Sequence, residues 1–178
     1  MNYSTTYSSP LGIITLASDG SSLVGLWIEG QKYHGTELED DKDSRCAGIF
    51  DAAKKWLDRY FAGEKPSISE LPLAPAGSEF RQEIWNILCE IPYGEVTTYG
   101  EIAKKMAAKM DRERMSSQAV GGAVGHNPIS VIIPCHRVVG SNGSLTGYAG
   151  GIHIKVKLLE LEGADMSRLF VPTKGTAL

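Results

Sequence analysis

A segment rich in proline and glycine near the middle of the chain constrains the fold more than any other feature. Between residues 65 and 77 it holds three prolines and a glycine: Pro66, Pro72, Pro75 and Gly77. Proline has no backbone N–H to donate, so a segment of this composition sustains neither a helix nor a central strand. We therefore predict a linker that ends a first domain, residues 1–76, and precedes a second, residues 77–178.

The first domain has the pattern of a small sheet followed by a helix. Residues 3–28 alternate apolar and polar side chains on either side of a turn at residues 18–21, which predicts a hairpin or the start of a meander. The acid-rich residues 37–44 predict a surface loop. Apolar residues then recur at helical spacing over residues 52–61, and Gly63 ends the predicted helix.

Helical periodicity dominates the second domain. Residues 79–90 predict one helix, which Ser78 can cap. Thr98 and Glu101 have the pattern of a capping box that starts a second helix, and the pair Ser116-Ser117 can cap a third. A short link joins the second and third of these helices, which predicts a helix-turn-helix.

The third predicted helix contains two glycines that local propensity does not explain. Gly121 and Gly122 each weaken a helix by about 1 kcal/mol relative to alanine. Either another helix packs very closely against this surface, or the helix approaches a nucleic-acid backbone where side chains would collide. The helix-turn-helix pattern on its own favours the packing explanation.

The distribution of charge restricts where a nucleic acid would bind. A formal net charge of −3 argues against a strongly basic nucleic-acid binder. The two domains differ, however: residues 1–76 carry 7 Lys or Arg against 11 Asp or Glu, whereas residues 77–178 carry 11 against 10. A DNA-binding surface is therefore expected in the second domain.

The sequence also indicates a compartment. No apolar run approaches the roughly 20 residues of a membrane span, and residues 1–10 lack the pattern of a signal peptide. Three widely spaced cysteines without a Cys-x-x-Cys pair indicate neither a disulfide framework nor a zinc ribbon. We predict a soluble protein of the reducing cytoplasm, with no metal and no membrane partner.

The strongest chemical signal centres on Cys135. The apolar residues 129–133 predict a short strand that leads to it, and His136 and Arg137 follow it. A thiol becomes a good nucleophile where a base or a positive charge favours its thiolate. Because successive side chains of an extended chain point to opposite faces, we expect His136 to reach Cys135 through a water molecule or a bend. A buried structural thiol is the alternative.

Two segments downstream add to this signal. The glycine-rich residues 140–151 predict a flexible loop, which either closes over a ligand or simply lies at the surface. Residues 155–162 return to helical periodicity and end at Glu162. A carboxylate there would orient His136 if the fold brought the two together.

Three short motifs of the second domain, taken together, point to a known family. They are Gly125-x-Asn127-Pro128, Pro134-Cys135-His136-Arg137 and Leu145-Thr146-Gly147-Tyr148-x-Gly150-Gly151. In this order they resemble the methylated-DNA–protein-cysteine methyltransferases, also called O6-alkylguanine-DNA alkyltransferases. The resemblance spans nearly the whole chain and is densest over residues 80–163. Chance agreement across all three motifs is not credible.

The resemblance implies both a fold and a reaction. The implied fold is an α/β N-terminal domain, a small ribonuclease H-like sheet plus helix, followed by a mainly α C-terminal domain with a winged-helix-like helix-turn-helix. The implied reaction is repair of double-stranded DNA: minor-groove binding, base flipping, and irreversible transfer of an alkyl group from O6 of guanine, or O4 of thymine, to Cys135. Nothing nearby hydrolyses the resulting thioether, so each monomer would act once, without a metal or organic cofactor.

Family roles carry over position by position. The resemblance makes Cys135 the alkyl acceptor, His136 the base that reaches it through water, and Glu162 the residue that orients this histidine. Tyr99 would assist the departure of guanine, and Asn127 would brace the turn. The guanine pocket would be lined by Val138, Tyr148 and Ala149. DNA would be bound by Thr98, Ser117, Gln118, Ala119, Gly122 and Arg137. A recognition helix in the minor groove must offer little bulk, so the resemblance favours DNA approach as the reason for the glycines.

Three features depart from the family pattern. Gln118 stands where an arginine commonly fills the gap left by the flipped base, and its amide can still hydrogen-bond an orphaned cytosine. The link before this helix is longer and carries Arg112 and Arg114, which are alternative candidates for that role. Ala149 stands where some relatives have serine, which removes one hydrogen bond to the O6 region.

Two other functions would use some of the same residues. An alkyltransferase-like protein that flags the lesion without repairing it would use the helix-turn-helix, but such relatives lack the acceptor cysteine. A Cys-His-Glu hydrolase of acyl substrates would use the nucleophile but leave the glycine-rich recognition helix without a role. A mass gain on Cys135 and turnover of an acyl substrate distinguish the three functions.

Overall fold

The computed structural model describes residues 2–31 and 38–172, and the chain divides into two compact units. The first unit comprises residues 1–76 together with 128–132, and the second comprises residues 77–127 and 133–178. Residues 128–132, expected in the second domain, therefore belong to the first unit. The reason is backbone pairing: the N–H of Leu26 donates to the carbonyl of Pro128 at 2.8 Å, and its carbonyl accepts from Ser130 at 3.2 Å.

The first unit contains a four-stranded sheet. Its strands are β1 (Asn2–Ser9), β2 (Gly12–Ser18), β3 (Leu23–Ile28) and β4 (Leu38–Asp40), in the order β3-β2-β1-β4. The first three pair as an antiparallel meander, and β4 pairs in parallel with β1. The predicted surface loop over residues 37–44 is thus wrong at residues 38–40, where the acidic chain forms an exposed edge strand. Glu37 lies outside the described residues.

Helix α1 (Ala47–Phe61) packs on β1, β2 and β3. It begins five residues before the predicted start at Ala52, because the Asp41 carboxylate accepts hydrogen bonds from the backbone N–H groups of Arg45 and Cys46 at 2.8 and 2.9 Å. Gly63 follows the helix in the left-handed conformation, at φ 83°. The linker then forms one short 3-10 turn, Ile68–Glu70.

The second unit is mainly helical. Its helices are α2 (Glu79–Cys89), α3 (Tyr99–Lys109), α4 (Ser117–Gly125) and α5 (Ile152–Leu161), and two short strands, β5 (Thr97–Thr98) and β6 (Val138–Val139), pair in parallel. Three predicted caps hold the helix starts, since the side chains of Ser78, Thr98 and Ser116 each accept a backbone N–H of the first turn. Helices α2, α3 and α4 pack together.

The apolar residues 129–133 do not form the predicted strand. Ile129 makes a single bridge to Leu26, and the chain then turns, with the N–H of Ile132 donating to Ser130 at 2.8 Å and Val131 at φ 71°. A 3-10 helix, Cys135–Arg137, follows this turn. A short apolar run is consistent with any buried backbone conformation, so its composition does not distinguish a strand from a turn.

Among the residues that the structure describes, no helix is both long enough and apolar enough to span a membrane.

Candidate active site

Cys135 begins the 3-10 helix that follows Pro134 in the second unit, and its side chain is half-buried. Asn127, just past the end of α4, lies beside it. The Asn127 amide donates to the carbonyl of Ile133 at 2.9 Å and also hydrogen-bonds Cys135. Burial raises the pKa of the Cys135 thiol, and this hydrogen bond and the charge of Lys155 partly oppose the rise. The resting group is therefore a thiol that needs a base.

His136 and Glu162 form a buried pair. Nε2 of His136 lies 2.7 Å from Oε2 of Glu162, and neither side chain is exposed. Burial lowers the pKa of His136, the hydrogen bond and charge of Glu162 oppose this, and the positive charges of Arg137 and Lys155 help to keep the pKa below its ordinary value. The imidazole is therefore neutral near pH 7.

The protonation state of Glu162 settles the tautomer of His136. Burial alone would raise the pKa of Glu162, but the hydrogen bonds from His136 and Arg137 and the positive charge of Arg137 outweigh it and hold the pKa far below the usual range. An ionised carboxylate only accepts hydrogen bonds, so Nε2 of His136 must carry the proton. Nδ1 keeps its lone pair, and it is buried without a hydrogen-bond partner among the described residues. The 3-10 helix thus presents a base one residue from the thiol.

Arg137 was predicted to bind DNA, and the structure places its side chain in the interior of the second unit. Its side chain is buried, with Nε donating to Oε1 of Glu162 at 2.7 Å and Nη2 to Oε2 at 3.0 Å. Nη1 donates to the carbonyl of Ile91 at 2.6 Å. The guanidinium thus makes three hydrogen bonds in the interior, and the two to Glu162 are charge-assisted and hold its carboxylate in place.

The other residues predicted to act in catalysis or to line the pocket are Tyr99, Val138, Tyr148 and Ala149. Tyr99, the first residue of α3, donates from Oη to the carbonyl of Thr146 in the glycine-rich loop at 3.3 Å. Burial raises the pKa of Tyr99, and negative charge on Cys135 adds to the rise. Val138 and Tyr148 are buried, whereas Ala149 is exposed. Cys135, His136, Glu162, Tyr99 and Asn127 therefore all belong to one constellation within the second unit.

One residue near Cys135 was not predicted from the sequence. Lys155 of α5 is fully buried, and its ammonium donates to the backbone carbonyls of Val138 and Thr146. The available signal was its position: Lys155 falls on the same helical stripe as the apolar residues Leu158 and Leu159, where a charged side chain is out of place unless it is paired.

The exposed surface of α4 is made of small and polar residues. The four predicted DNA-binding residues of this helix are exposed: Ser117, Gln118, Ala119 and Gly122. A Cβ atom added at Gly122 would meet nothing within 4 Å, and one added at Gly121 would make only ordinary contact with Tyr99 at 3.9 Å. Packing within the chain therefore does not require Gly122, which removes the packing explanation at that position.

Thr98, the remaining predicted DNA contact, is half-buried. Its hydroxyl oxygen accepts the N–H of Glu101 at 3.1 Å as the cap of α3, and its O–H remains able to donate elsewhere. Within the described part of the chain, no group of three His, Cys, Asp or Glu residues is placed to hold a metal ion.

Comparison with known proteins matches both halves of the chain to domains of the same protein family. Residues 79–164 match the 6-O-methylguanine DNA methyltransferase DNA-binding domain, and residues 2–75 match the ribonuclease-like domain of the same proteins. The chain is 42% identical over 160 residues to a methylated-DNA–protein-cysteine methyltransferase of Haemophilus influenzae, covering 90% of this chain and 86% of that one. It is 45% identical over 164 residues to the protein of that name from Methanosarcina acetivorans, covering 91% and 99%.

Solved structures give the same result. The structure of Mycobacterium tuberculosis OGT in complex with DNA superposes with a TM-score of 0.78 at 43% identity, covering 94% of each chain. The O6-methylguanine methyltransferase of the same organism superposes with a TM-score of 0.74 at 40% identity, covering 98% of this chain and 97% of that one. The sheet-plus-helix and helix-turn-helix units thus occur together in these relatives.

Proposed function

The chain belongs to the methylated-DNA–protein-cysteine methyltransferases and repairs DNA by taking the alkyl group of O6-methylguanine onto one of its own cysteines, and we propose that Cys135 is this acceptor. The observation that carries the proposal is the unpartnered lone pair on buried Nδ1 of His136, adjacent in sequence to a half-buried thiol. Cys46 and Cys89 have no such base beside them in the sequence.

We propose that the Cys135 thiol passes its proton through a water molecule to Nδ1 of His136. The ionised Glu162 accepts from Nε2–H and stabilises the imidazolium that forms, while Arg137 keeps this carboxylate charged and oriented. The hydrogen bond from Asn127 stabilises the thiolate. Each of these groups is fixed by backbone or buried contacts, so little reorganisation accompanies the proton transfer.

The thiolate then attacks the alkyl carbon. A new S–C bond forms, the C–O6 bond breaks, and its electron pair returns to the guanine ring. We propose that the Tyr99 hydroxyl donates a hydrogen bond to the departing base, and the thiol proton ends on guanine. The products are unmodified guanine and a thioether on Cys135. Because no group in the site can hydrolyse a thioether, each molecule acts once.

We propose that Val138, Tyr148 and Ala149 line the guanine pocket. Val138 and Tyr148 provide buried walls, and the exposed Ala149 lies in the glycine-rich loop that would close over the base. A flipped nucleotide is required, because the O6 substituent cannot be reached within the duplex. Alanine in place of a serine removes a donor near O6. The same pocket would accept O4-alkylthymine as a further substrate.

We propose that α4 lies in the minor groove of double-stranded DNA, with contacts from Thr98, Ser117, Ala119 and Gly122. Its exposed glycine supports this placement, because nothing inside the protein requires so small a residue there. Gln118 is exposed near the start of the helix and, in this proposal, hydrogen-bonds the cytosine left by the flipped base.

We further propose that the two domains have different roles. Residues 1–76 form a supporting α/β domain, and residues 77–178 form the domain that binds DNA and carries the acceptor. The excess of acidic over basic residues in the first domain and the position of Cys135 in the second domain support this assignment. The protein would work as a monomer in the cytoplasm, where three free cysteines remain reduced.

The test is intact-protein mass spectrometry after mixing with excess duplex oligonucleotide that carries one O6-methylguanine. We expect the wild type to gain one methylene mass, mapped to the peptide containing Cys135, and Cys135→Ser to gain none. Cys89→Ser is the matched control and should behave like the wild type. A gain of equal size in Cys135→Ser would assign the acceptor to another residue, and binding without any gain would favour a lesion-flagging protein.

A further inference from the structure

Among the residues that the structure describes, Lys155 is the one buried cation without a role in the reaction proposed for Cys135. It lies in the first turns of α5, and its side chain has no exposed surface. Lysine is almost never fully buried unless paired, because removing an ammonium from water is costly. A buried lysine in the active-site constellation therefore needs a physical reason.

Its hydrogen bonds join the two backbone segments that flank the proposed pocket. Nζ donates to the carbonyl of Val138 at 2.6 Å and to the carbonyl of Thr146 at 2.8 Å. Val138 belongs to β6, directly after the Cys135–Arg137 helix, and Thr146 belongs to the glycine-rich loop. The ammonium thus ties a flexible segment to a fixed one.

Neither of these acceptors carries a charge. Among the described residues, no carboxylate makes a salt bridge with Lys155, since the buried Glu162 is engaged by His136 and Arg137. An ammonium has three N–H donors, and the two carbonyls use two of them. The titratable groups that interact with Lys155 through charge are Cys135 and His136 of the 3-10 helix. Because His136 is neutral, Cys135 is the group that can provide a negative charge.

We propose that Lys155 is a positioning residue for alkyl transfer: its buried ammonium holds the glycine-rich loop against β6 and serves as the counter-charge of the Cys135 thiolate. The proposal rests on Cys135 being the alkyl acceptor. It explains why a lysine, and not an apolar residue, occupies a buried position of α5.

Lys155 and Tyr99 both donate to the carbonyl of Thr146, which gives Lys155 a second role. Tyr99 Oη donates to this carbonyl at 3.3 Å in the free protein. To bond the departing guanine, the Tyr99 hydroxyl must leave Thr146, and a partly buried carbonyl that loses a donor costs free energy. Because Lys155 continues to donate to the same oxygen, the tyrosine can turn to the substrate without leaving that oxygen unpaired.

Burial lowers the pKa of Lys155 to about 8, and negative charge on Cys135 opposes the lowering. The amine is therefore mostly charged at neutral pH and loses its proton within an accessible range. Above this range the loop loses one charged hydrogen bond and the thiolate loses its counter-ion. The rate of alkyl transfer should fall there even though more thiolate is present.

The first experiment compares wild type, Lys155→Met and Lys157→Met, a matched control on the exposed side of the same helix. The rate of iodoacetamide labelling of the Cys135 peptide is measured against pH, without DNA. We expect Lys155→Met to shift the titration of Cys135 upward by at least about one pH unit, which lowers labelling at neutral pH about tenfold. Lys157→Met should match the wild type. A folded Lys155→Met protein with an unshifted profile would overturn the proposal.

A second measurement uses the wild-type side chain and does not depend on a variant that folds. The rate of iodoacetamide labelling of wild-type Cys135 is followed across the neutral and alkaline pH range. We expect this rate to rise with pH and then to level off above about pH 8, where Lys155 loses its charge, and a rate that keeps rising in proportion to hydroxide through this range contradicts the charge pairing. Neither measurement uses alkylated DNA, so failure of the wild type to accept a methyl group would be recognised separately.

Discussion

Glu162 shows how much of the site depends on one side chain. Its carboxylate accepts from His136 and twice from Arg137, and all three side chains are buried. This arrangement fixes the histidine tautomer and neutralises the arginine together. Replacing the carboxylate would therefore change both the base and the packing around it.

The pH dependence of stability follows from the same residues. The folded pKa values of His136 and Glu162 lie below their ordinary values of 6.5 and 4.5, so the unfolded chain binds more protons at acid pH. Stability is present above these ordinary values and is lost as pH falls below about 6.5 and then below about 4.5. Thermal unfolding of the second unit across the acid range measures this loss.

The variant Glu162→Gln separates the contribution of Glu162 to this pH dependence from that of His136. At neutral pH we expect this variant to be destabilised by about 3 kcal/mol, because the charge of Arg137 remains buried without its partner. Its stability should then depend less on pH below about 4.5 than that of the wild type. An equal slope in both proteins would show that Glu162 does not titrate as the geometry requires.

At the scale of elements, α4 combines poor helix propensity with an exposed surface of small residues. The helix forms because Ser116 caps it and Val120, Ala123 and Val124 bury one face. Trp85 of α2 adds a hydrogen bond from Nε1 to the carbonyl of Ala123 at 2.9 Å. Tertiary packing therefore compensates for the glycines, and the outer face is free to be small.

This face provides a direct test of the DNA placement. We expect Gly122→Leu to slow methyl transfer from duplex DNA at least about tenfold, because a bulky side chain would collide with the groove, while transfer from a free alkylated base is unchanged. Folding should be retained, because Gly122 is exposed and a Cβ atom at this position meets nothing within 4 Å. Single-turnover kinetics with the two substrates measure the difference.

Gln118→Ala extends the test to the flipped-out state. If Gln118 hydrogen-bonds the orphaned cytosine, this variant slows duplex repair much more than transfer from the free base. Equal slowing with both substrates would argue against that role. Arg112→Ala and Arg114→Ala serve as controls for the alternative that an arginine of the preceding link takes the position.

At the scale of the whole molecule, the two units are interleaved in sequence. Residues 128–132 leave the second unit, pair with Leu26 of the first, and return just before Cys135. Residues 128–132, which precede Cys135 closely in the chain, therefore belong to the first unit. Ile129 within it has no exposed surface.

A fragment of residues 77–178 should consequently be less stable than the full chain and accept methyl groups more slowly. It loses two backbone hydrogen bonds of about 1 kcal/mol each, together with the burial of Ile129. The control is the full chain cut at an engineered protease site in the linker after folding, which keeps both pieces. A fragment as stable and as fast as the full chain would contradict this account.

Patterns local in sequence determined most of the helices and the family of the protein. Capping residues and apolar periodicity predicted the starts of α2, α3 and α4 because these signals act within one helical turn. The motif around Cys135 predicted the family, which the comparisons confirm. Local patterns failed where several structures bury the same apolar residues, as at residues 129–133, and where a short edge strand is acidic, as in β4.

Only the tertiary structure decided what the charged residues near Cys135 do. His136 and Arg137 are adjacent in sequence, and both side chains contact Glu162. In an extended chain they would point to opposite faces, but the backbone forms a 3-10 helix here and brings both to the same carboxylate. Burial of Arg137 and Lys155 likewise depends on partners 25 and 17 residues away. Long-range pairing of buried charges sets these roles, and no periodicity encodes it.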